Sequence, residues 1–176
     1  MTGFRVERAG GVLRQAVISD LPAMTEIYNQ AVLERSATAD PYPREHGDRV
    51  RWFERYGWED GHPLVVWEEQ GSIHAYCGLS AFRDKAGYKG CVEMTLYVRK
   101  SERRRGIGPA IGAAVVDLGR SLNNRVILAL VFADNAASNG LFSRLGFSLS
   151  GHFPGAVLFP GDTAHPRDVG IWHLRL

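Results

Sequence analysis

The chain has little cysteine, no zinc-ligand spacing and no long apolar run, and each shortage excludes a class of protein. Two cysteines, Cys77 and Cys91, lie in apolar strand-like stretches of the 176 residues, so we interpret them as reduced buried thiols and not as a disulfide framework. No pair of Cys or His residues has the spacing of zinc ligands, so we expect no metal. No apolar stretch approaches the roughly 20 residues that a membrane helix needs, so we expect no membrane partner.

The chain also has little net charge. The formal net charge is +2, from 21 lysines and arginines against 19 aspartates and glutamates. This mild excess, in which the basic residues are not interleaved with aromatic ones, predicts no nucleic-acid partner. The N-terminal stretch lacks the apolar core of a secretory signal, so we expect a cytoplasmic location.

The hydrophobic pattern predicts an α/β (α+β) fold in a single domain over residues 12–176, preceded by a flexible lead at residues 1–11. Four helices are expected: one capped by Ser19 or Asp20, one that ends near Trp58, one that ends near Leu122, and a short one from Asp134-Asn135 to near Leu145. Seven strands are expected, at residues 12–18, 64–69, 72–82, 91–99, 126–133, 147–152 and 169–176. Gln70-Gly71 lies between two of them and predicts a tight hairpin.

The most unusual stretch is RKSERRRGIGPAIG at residues 99–112, which follows a predicted strand and opens a predicted helix. Glycine loops in this position often bind phosphates, because backbone N–H groups converge there and the helix N-terminus adds positive potential. The stretch lacks GK[ST], so it is not the loop of nucleotide triphosphatases. It also lacks the third glycine of the dinucleotide fingerprint, since position 111 is Ile. A solvated basic turn that caps the helix is the alternative.

Several motifs in the correct order carry a family resemblance. Arg103-x-x-Gly106-x-Gly108, followed by DNAAS at 134–138 and LGF at 145–147, resembles the signature of the GCN5-related N-acetyltransferases. A closer resemblance, to the phosphinothricin and methionine sulfoximine acetyltransferase branch, covers about residues 12–152. It rests on DLPAMTEIYNQAV at 20–32, RWF at 51–53, LSAFR at 79–83, YK at 88–89 and VEMTLYV at 92–98.

The resemblance implies a mixed central sheet of about seven strands with about four flanking helices. Its two central parallel strands, here 91–99 and 126–133, would splay apart to admit acetyl-CoA. The implied partner is a small-molecule amine, and the implied assembly is a homodimer. Backbone groups of Leu96, Tyr97 and Val98 would pair with the pantetheine arm, which Asn135 would also meet unless it is only a helix cap. The diphosphate would lie on a loop formed by Arg103, Arg104, Arg105, Gly106, Ile107, Gly108, Pro109 and Ala110.

Glu93 is the expected general base. A charged residue in an otherwise apolar strand is costly unless it faces a cavity, and such a site raises a carboxylate pKa toward the working pH. Phe142 lies where family members carry a Tyr or His that protonates the leaving thiolate, and a Phe cannot donate a proton. Three residues, Phe82, Arg83 and Tyr88, would line the acceptor pocket, and Arg83 could pair with a carboxylate of the acceptor.

Three functions stay open at this point. The first is an acetyl-CoA-dependent N-acetyltransferase for a small amine, such as an amino acid or an analogue like phosphinothricin or methionine sulfoximine. The second is a protein N-terminal acetyltransferase, which would need an open groove near residues 35–47 and 153–168. The third is a non-catalytic acyl-CoA-binding module, suggested by Phe142 and by Pro109, which removes one N–H from the loop.

Overall fold

The computed structural model describes residues 4–8, 10–162 and 164–176, and these form eight strands and four α-helices. The strands are β1 (Arg5–Arg8), β2 (Gly11–Gln15), β3 (Leu64–Glu69), β4 (Ser72–Ala81), β5 (Cys91–Val98), β6 (Val126–Phe132), β7 (Ser148–Val157) and β8 (Arg167–Arg175). The helices are α1 (Leu21–Glu34), α2 (His46–Phe53), α3 (Ile107–Ser121) and α4 (Ala136–Arg144).

All eight strands belong to one mixed sheet of order β1-β2-β3-β4-β5-β6-β8-β7. Every neighbouring pair is antiparallel except β5 and β6, which confirms the predicted parallel pair at the centre. The hairpin between β3 and β4 is confirmed as well, because Gln70 and Gly71 both have positive φ, +48° and +77°. Two such residues in succession match the twist of the flanking strands.

The eighth strand, β1, lies in the segment predicted to be a flexible lead. It pairs antiparallel with β2, and the ring of Phe4 packs on that of Trp58 with 5.5 Å between centroids. Strand β7 also runs past its predicted end at residue 152. Pro154 lies in it because the strand is at the sheet edge and bulges there, so no ladder hydrogen bond is lost. Helix α2 ends at Phe53, five residues before the prediction.

Helices cover both faces of the sheet. On one face α3 buries Ile111 and Val115 against a core that includes Val92 and Ile127. On the other face α1 buries Met24 and Ile27 in a second cluster of apolar residues. The buried residues of α1 recur every three to four positions, as an amphipathic helix requires.

The feature that positions the site is the separation of β5 from β6. Their parallel pairing joins Cys91 to Val126, Val92 to Ile127 and Glu93 to Leu128, and it ends there. Beyond this point β5 stays paired with β4, and β6 stays paired with β8. The two strands therefore diverge into a V whose apex is Glu93.

Candidate active site

Two cavities lie in the V. The apex cavity, of about 280 Å³, is lined by Glu93, Thr95, Leu130 and Phe142 among others. The loop cavity, of about 560 Å³, is lined by the glycine loop that precedes α3 and by residues of α1 and α4. The two cavities adjoin, because they share Ala37, Leu96, Tyr97, Asn135 and Ser138.

Glu93 is half-buried at the apex, opposite Ser80 on β4 and Leu128 on β6. Its carboxylate forms no hydrogen bond or ion pair with any residue that the structure describes, and it lines the apex cavity. Burial raises the pKa of Glu93, and the positive charge of Arg83 partly opposes that rise. A carboxylate in this setting can accept a proton from a group that enters the cavity.

The splayed half of β5 presents free backbone groups to the V. Leu96, Tyr97 and Val98 pair with Cys77, Tyr76 and Ala75 of β4 on one edge, and all three line the loop cavity. Their other edge has no strand partner within residues 10–162 and 164–176. An extended ligand can add to such an edge by main-chain hydrogen bonds.

The glycine loop contributes five of its eight predicted residues to the loop cavity, namely Arg103, Arg104, Gly106, Gly108 and Pro109. Gly106 takes φ +82° as the N-cap of α3, a left-handed conformation that favours glycine. In the described part of the chain, no protein group accepts a hydrogen bond from the amides of residues 103–108. These amides and the N-terminus of α3 form a cradle suited to an anion.

The structure does not place the other three predicted loop residues on the cavity. The Ala110 amide donates to the Gly106 carbonyl, N–O 3.2 Å, and begins the helix, so it is not free for a phosphate. Ile107 is buried in the core at 3% exposure. The guanidinium of Arg105 turns to Glu69, at 2.9 Å, and to Glu102.

The loop carries less free charge than its sequence suggests. Four of the five basic side chains in residues 99–105 form ion pairs: Arg99 with Glu26, Lys100 and Arg103 with Glu34, and Arg105 with Glu69 and Glu102. Arg104 forms no ion pair with a described residue, is exposed, and lines the loop cavity. The groups of the loop that remain available to bind an anion are therefore the backbone amides and the Arg104 guanidinium.

Asn135 links the N-terminus of α4 to the segment that follows α1. Its Oδ1 accepts from the Ser138 amide at 3.0 Å, so it caps α4, and its Nδ2 donates to the Ser36 carbonyl at 2.9 Å. The neighbouring carbonyls of Arg35 and Ala37 accept from Arg167 and Tyr97. Three consecutive carbonyls thus tie this segment across the V, which sequence reasoning did not predict because the partners are far apart along the chain.

Helix α4 carries no proton donor at the expected position. Phe142 lines the apex cavity at 6% exposure, and its ring meets that of Phe147 edge-on with 5.0 Å between centroids. Ser138, one turn earlier on α4, lines both cavities and brings a hydroxyl there. The DNAAS motif contains this serine, so the motif itself was a signal for it.

The three residues predicted to bind the acceptor lie on the exposed connection between β4 and β5. Phe82 and Tyr88 pack edge-on with 5.7 Å between centroids, and the Arg83 guanidinium lies 5.2 Å from the centre of the Phe82 ring. None of the three lines the apex cavity or the loop cavity. Arg83 is linked to the site through its charge, which acts on the pKa of Glu93.

Other predicted features were also located. Both cysteines are free; Cys77 is buried and Cys91 is half-buried. Among residues 4–8, 10–162 and 164–176, no group of three His, Cys, Asp or Glu side chains is arranged to hold a metal ion. In the same ranges, no helix combines the length and apolarity required to cross a bilayer.

Comparison with known proteins identifies relatives that cover most of the chain. Residues 24–147 match the model of the acetyltransferase (GNAT) family. An L-methionine sulfoximine/L-methionine sulfone acetyltransferase of Pseudomonas aeruginosa is 34% identical over 143 residues, which cover 81% of this chain and 83% of the relative.

Two solved structures show the same architecture. The first is a phosphinothricin acetyltransferase of Sinorhizobium meliloti in complex with acetyl-CoA. It superposes with a TM-score of 0.87 at 30% identity, and the match covers 95% of this chain and 89% of that one. The second is a ribosomal-protein-alanine N-acetyltransferase of Brucella melitensis, with a TM-score of 0.86 at 29% identity, covering 93% of this chain and 99% of that one.

Proposed function

Because the chain belongs to the acetyltransferase (GNAT) family and is an acetyl-CoA-dependent N-acetyltransferase, we propose that it acetylates the amino group of an amino acid or analogue of the methionine sulfoximine and phosphinothricin type. The observation that carries the proposal is Glu93 at the apex of the V, a half-buried carboxylate with no hydrogen bond or ion pair to a described residue. The relatives named above supply the acceptor class.

The residues of the loop cavity fit acetyl-CoA. The free amides of residues 103–108 and the N-terminus of α3 would hold its diphosphate, and Arg104 would add one guanidinium. The backbone of Leu96, Tyr97 and Val98 would pair with the pantetheine arm, next to Asn135. Bound acetyl-CoA supplies an acetyl group as a thioester, and one amide of this strand would polarise its carbonyl.

Glu93 would act as the general base, directly or through a water molecule. As the amine nitrogen forms its bond to the acetyl carbon and the carbon–sulfur bond breaks, the proton of the nitrogen passes to the Glu93 carboxylate. The raised pKa of Glu93 brings its proton affinity closer to what this transfer needs. At Phe142 the thiolate finds no donor, so it leaves as an anion or takes its proton from water.

Arg83 is proposed to pair with the α-carboxylate of the acceptor. Its charge already acts on Glu93, so a carboxylate held by Arg83 would lie near the base that receives the proton from the same amino acid. Phe82 and Tyr88 would support Arg83, because the three side chains pack together on one connection.

The test is an amine panel assayed by release of CoA thiol. We expect turnover with methionine sulfoximine or phosphinothricin and with few simple amines that lack a carboxylate. An Arg83→Met variant should raise KM for the amino acid more than it lowers kcat. Turnover of simple amines alone, at equal rates in both proteins, would overturn the assignment.

Acetylation of a protein N-terminus is the second candidate, because the Brucella melitensis relative is described as acting on a ribosomal-protein alanine. The apex cavity, of about 280 Å³, is close to the lower end of small-molecule sites. Its walls include Ala37, Thr38 and Val157, from the two segments that would have to open for a peptide. A peptide with an N-terminal alanine, assayed beside the amino acids, distinguishes the two candidates.

A further inference from the structure

A third cavity, the Arg49 cavity, lies against the face of β5 that α1 and α2 cover. It has a volume of about 340 Å³, and nothing in the proposed function uses it. Thr95 and Tyr97 border both this cavity and the apex cavity, so the two adjoin. Its remaining lining residues are Tyr28, Asp40, Arg44, Asp48, Arg49, Arg51, Trp52 and Arg55.

Arg49 is a buried cation that forms no ion pair with a described residue, although its charge acts on Asp40 and helps to lower the pKa of that carboxyl. It is 3% exposed, and its guanidinium carbon lies 3.7 Å from the centre of the Trp52 ring and 4.7 Å from that of Tyr28. Its Nη2 donates to the Tyr76 hydroxyl at 3.3 Å, while its buried Nε has no hydrogen-bond partner in the described residues. Burying a charge in this way is costly unless a partner of opposite charge arrives.

The two carboxylates of the cavity accept hydrogen bonds from other residues of its lining and not from Arg49. Asp40 accepts from Arg44 and from the Tyr28 hydroxyl, and Asp48 accepts from Arg51. Four arginines against two aspartates leave an excess of positive charge on the lining. Such a cavity attracts an anion and repels an ammonium group.

The spacing along β5 decides which part of an acceptor could reach Arg49. Glu93 and Thr95 are two residues apart, so they project from the same face of the strand, about 7 Å from each other. An α-amine and an α-carboxylate share one carbon and cannot span that separation. A group at the end of an amino-acid side chain can.

We propose that the Arg49 cavity binds an oxyanion on the side chain of the acceptor, so that the enzyme selects amino acids with an anionic side chain. The amine lies at Glu93, the α-carboxylate at Arg83, and the side-chain phosphinate or carboxylate pairs with the Arg49 guanidinium. This inference rests on the proposed function and adds a residue that determines specificity. The contact with the Trp52 ring holds the planar guanidinium in place, and its fork of N–H groups suits two parallel hydrogen bonds to an oxyanion.

The test compares two acceptors that differ in side-chain charge: phosphinothricin, with an anionic phosphinate, and methionine sulfone, which is neutral. For wild-type protein we expect kcat/KM for phosphinothricin to exceed that for methionine sulfone at least tenfold. The Arg49→Met variant should lower this ratio at least tenfold. The control Arg120→Met removes an exposed arginine of α3 that pairs with Asp117, and it should leave the ratio unchanged.

Binding is measured separately, by calorimetry of phosphinothricin with the CoA-loaded protein, in which no acetyl group can be transferred. Binding by Arg49→Met that is weaker by tenfold or more supports the site, even if neither amino acid is turned over. In that case the proposed function is wrong but the anion site stands. An unchanged ratio of kcat/KM together with unchanged binding overturns the site while the proposed function stands.

If Arg49→Met does not fold, Arg49→Lys decides. It keeps the charge but loses the planar fork, so it should fold and show an intermediate ratio. A ratio for Arg49→Lys equal to that of wild type, or wild-type protein that binds no phosphinothricin at millimolar concentration, contradicts the proposal.

Discussion

Two cationic regions flank β5, and they are built in opposite ways. Of the five basic side chains in residues 99–105, all but the half-buried Arg99 are exposed, and carboxylates compensate four. The groups left for a ligand are therefore backbone amides and Arg104. On the other side, Arg49 is buried and has no carboxylate partner in the described chain, so its side chain itself is the recognition group. The side chains in the dense run of charge are therefore mostly engaged, whereas the Arg49 guanidinium of α2 forms no ion pair with a described residue.

The difference matches what each region is proposed to bind. A diphosphate carries several oxygens, and a row of amides can surround it without ordering long side chains. A single oxyanion on a small acceptor has to be distinguished from a neutral group, and one desolvated guanidinium does this most strongly. Glu93 lies between the two regions and belongs to neither.

The largest expected effect comes from Glu93→Gln. It removes the base and leaves both cationic regions in place, so kcat/KM should fall by about 10² to 10⁴ while the Kd for acetyl-CoA changes less than threefold. Steady-state kinetics and calorimetry measure the two quantities. A rate within threefold of wild type would take Glu93 out of the mechanism.

The same substitution, which should lower the rate, is expected to raise the stability of the folded protein. Burial raises the pKa of Glu93 in the folded state, so the folded protein binds a proton more tightly than the unfolded chain. The free energy of unfolding therefore falls as pH rises from the unfolded pKa through the folded one. At neutral pH the Glu93→Gln variant should have a higher Tm than wild type, and a lower Tm would contradict a desolvated carboxylate.

The pH dependence of kcat/KM should report the same group. Because the base must be ionised, wild-type activity is expected to rise with pH, with a midpoint above the ordinary pKa of a glutamate, in the direction that burial shifts it. Below the midpoint the rate should fall up to tenfold per pH unit. Arg83→Met should move the midpoint upward, since the Arg83 charge now lowers the pKa of Glu93, and a downward shift would refute that coupling.

Arg104→Ala and Arg105→Ala make a matched pair within the glycine loop. Arg104 lines the cavity without an ion pair in the described residues, so its loss should raise KM for acetyl-CoA about tenfold at low salt, and the difference should shrink at high salt. Arg105 is held by Glu69 and Glu102, so its loss should change KM less than twofold. Equal effects would mean that the ion pairs open when the cofactor binds.

The smallest effect is expected from Gly108→Ala. A methyl group there would lie 3.7 Å from Leu141 and from Val98, in ordinary contact with two residues that line the loop cavity. Stability should not fall, while KM for acetyl-CoA should rise a few fold because the methyl group narrows the cavity. Gly140→Ala, on α4 in open space, is the control: it should stabilise by about 0.5–1 kcal/mol without changing KM.

Sequence reasoning succeeded where local pattern decides structure. The Gln70-Gly71 hairpin and the Asn135 cap were predicted from local pattern and are present. The parallel pair of strands, which the family resemblance implied, is present as well. It missed β1, a strand of four residues, which is too short for its alternation to stand out, and it missed the bulge that lets β7 continue past Pro154.

By itself the sequence determined the order of strands and helices, the glycine loop and the carboxylate on the central strand, because periodicity, glycine spacing and an isolated charge are local properties. Only the tertiary structure decided which charges are free. Arg105 meets Glu69 from 36 residues away, and Arg49 meets Tyr76 from 27 residues away. Such pairs exist only after the sheet has assembled, and they set the desolvation and compensation on which binding depends.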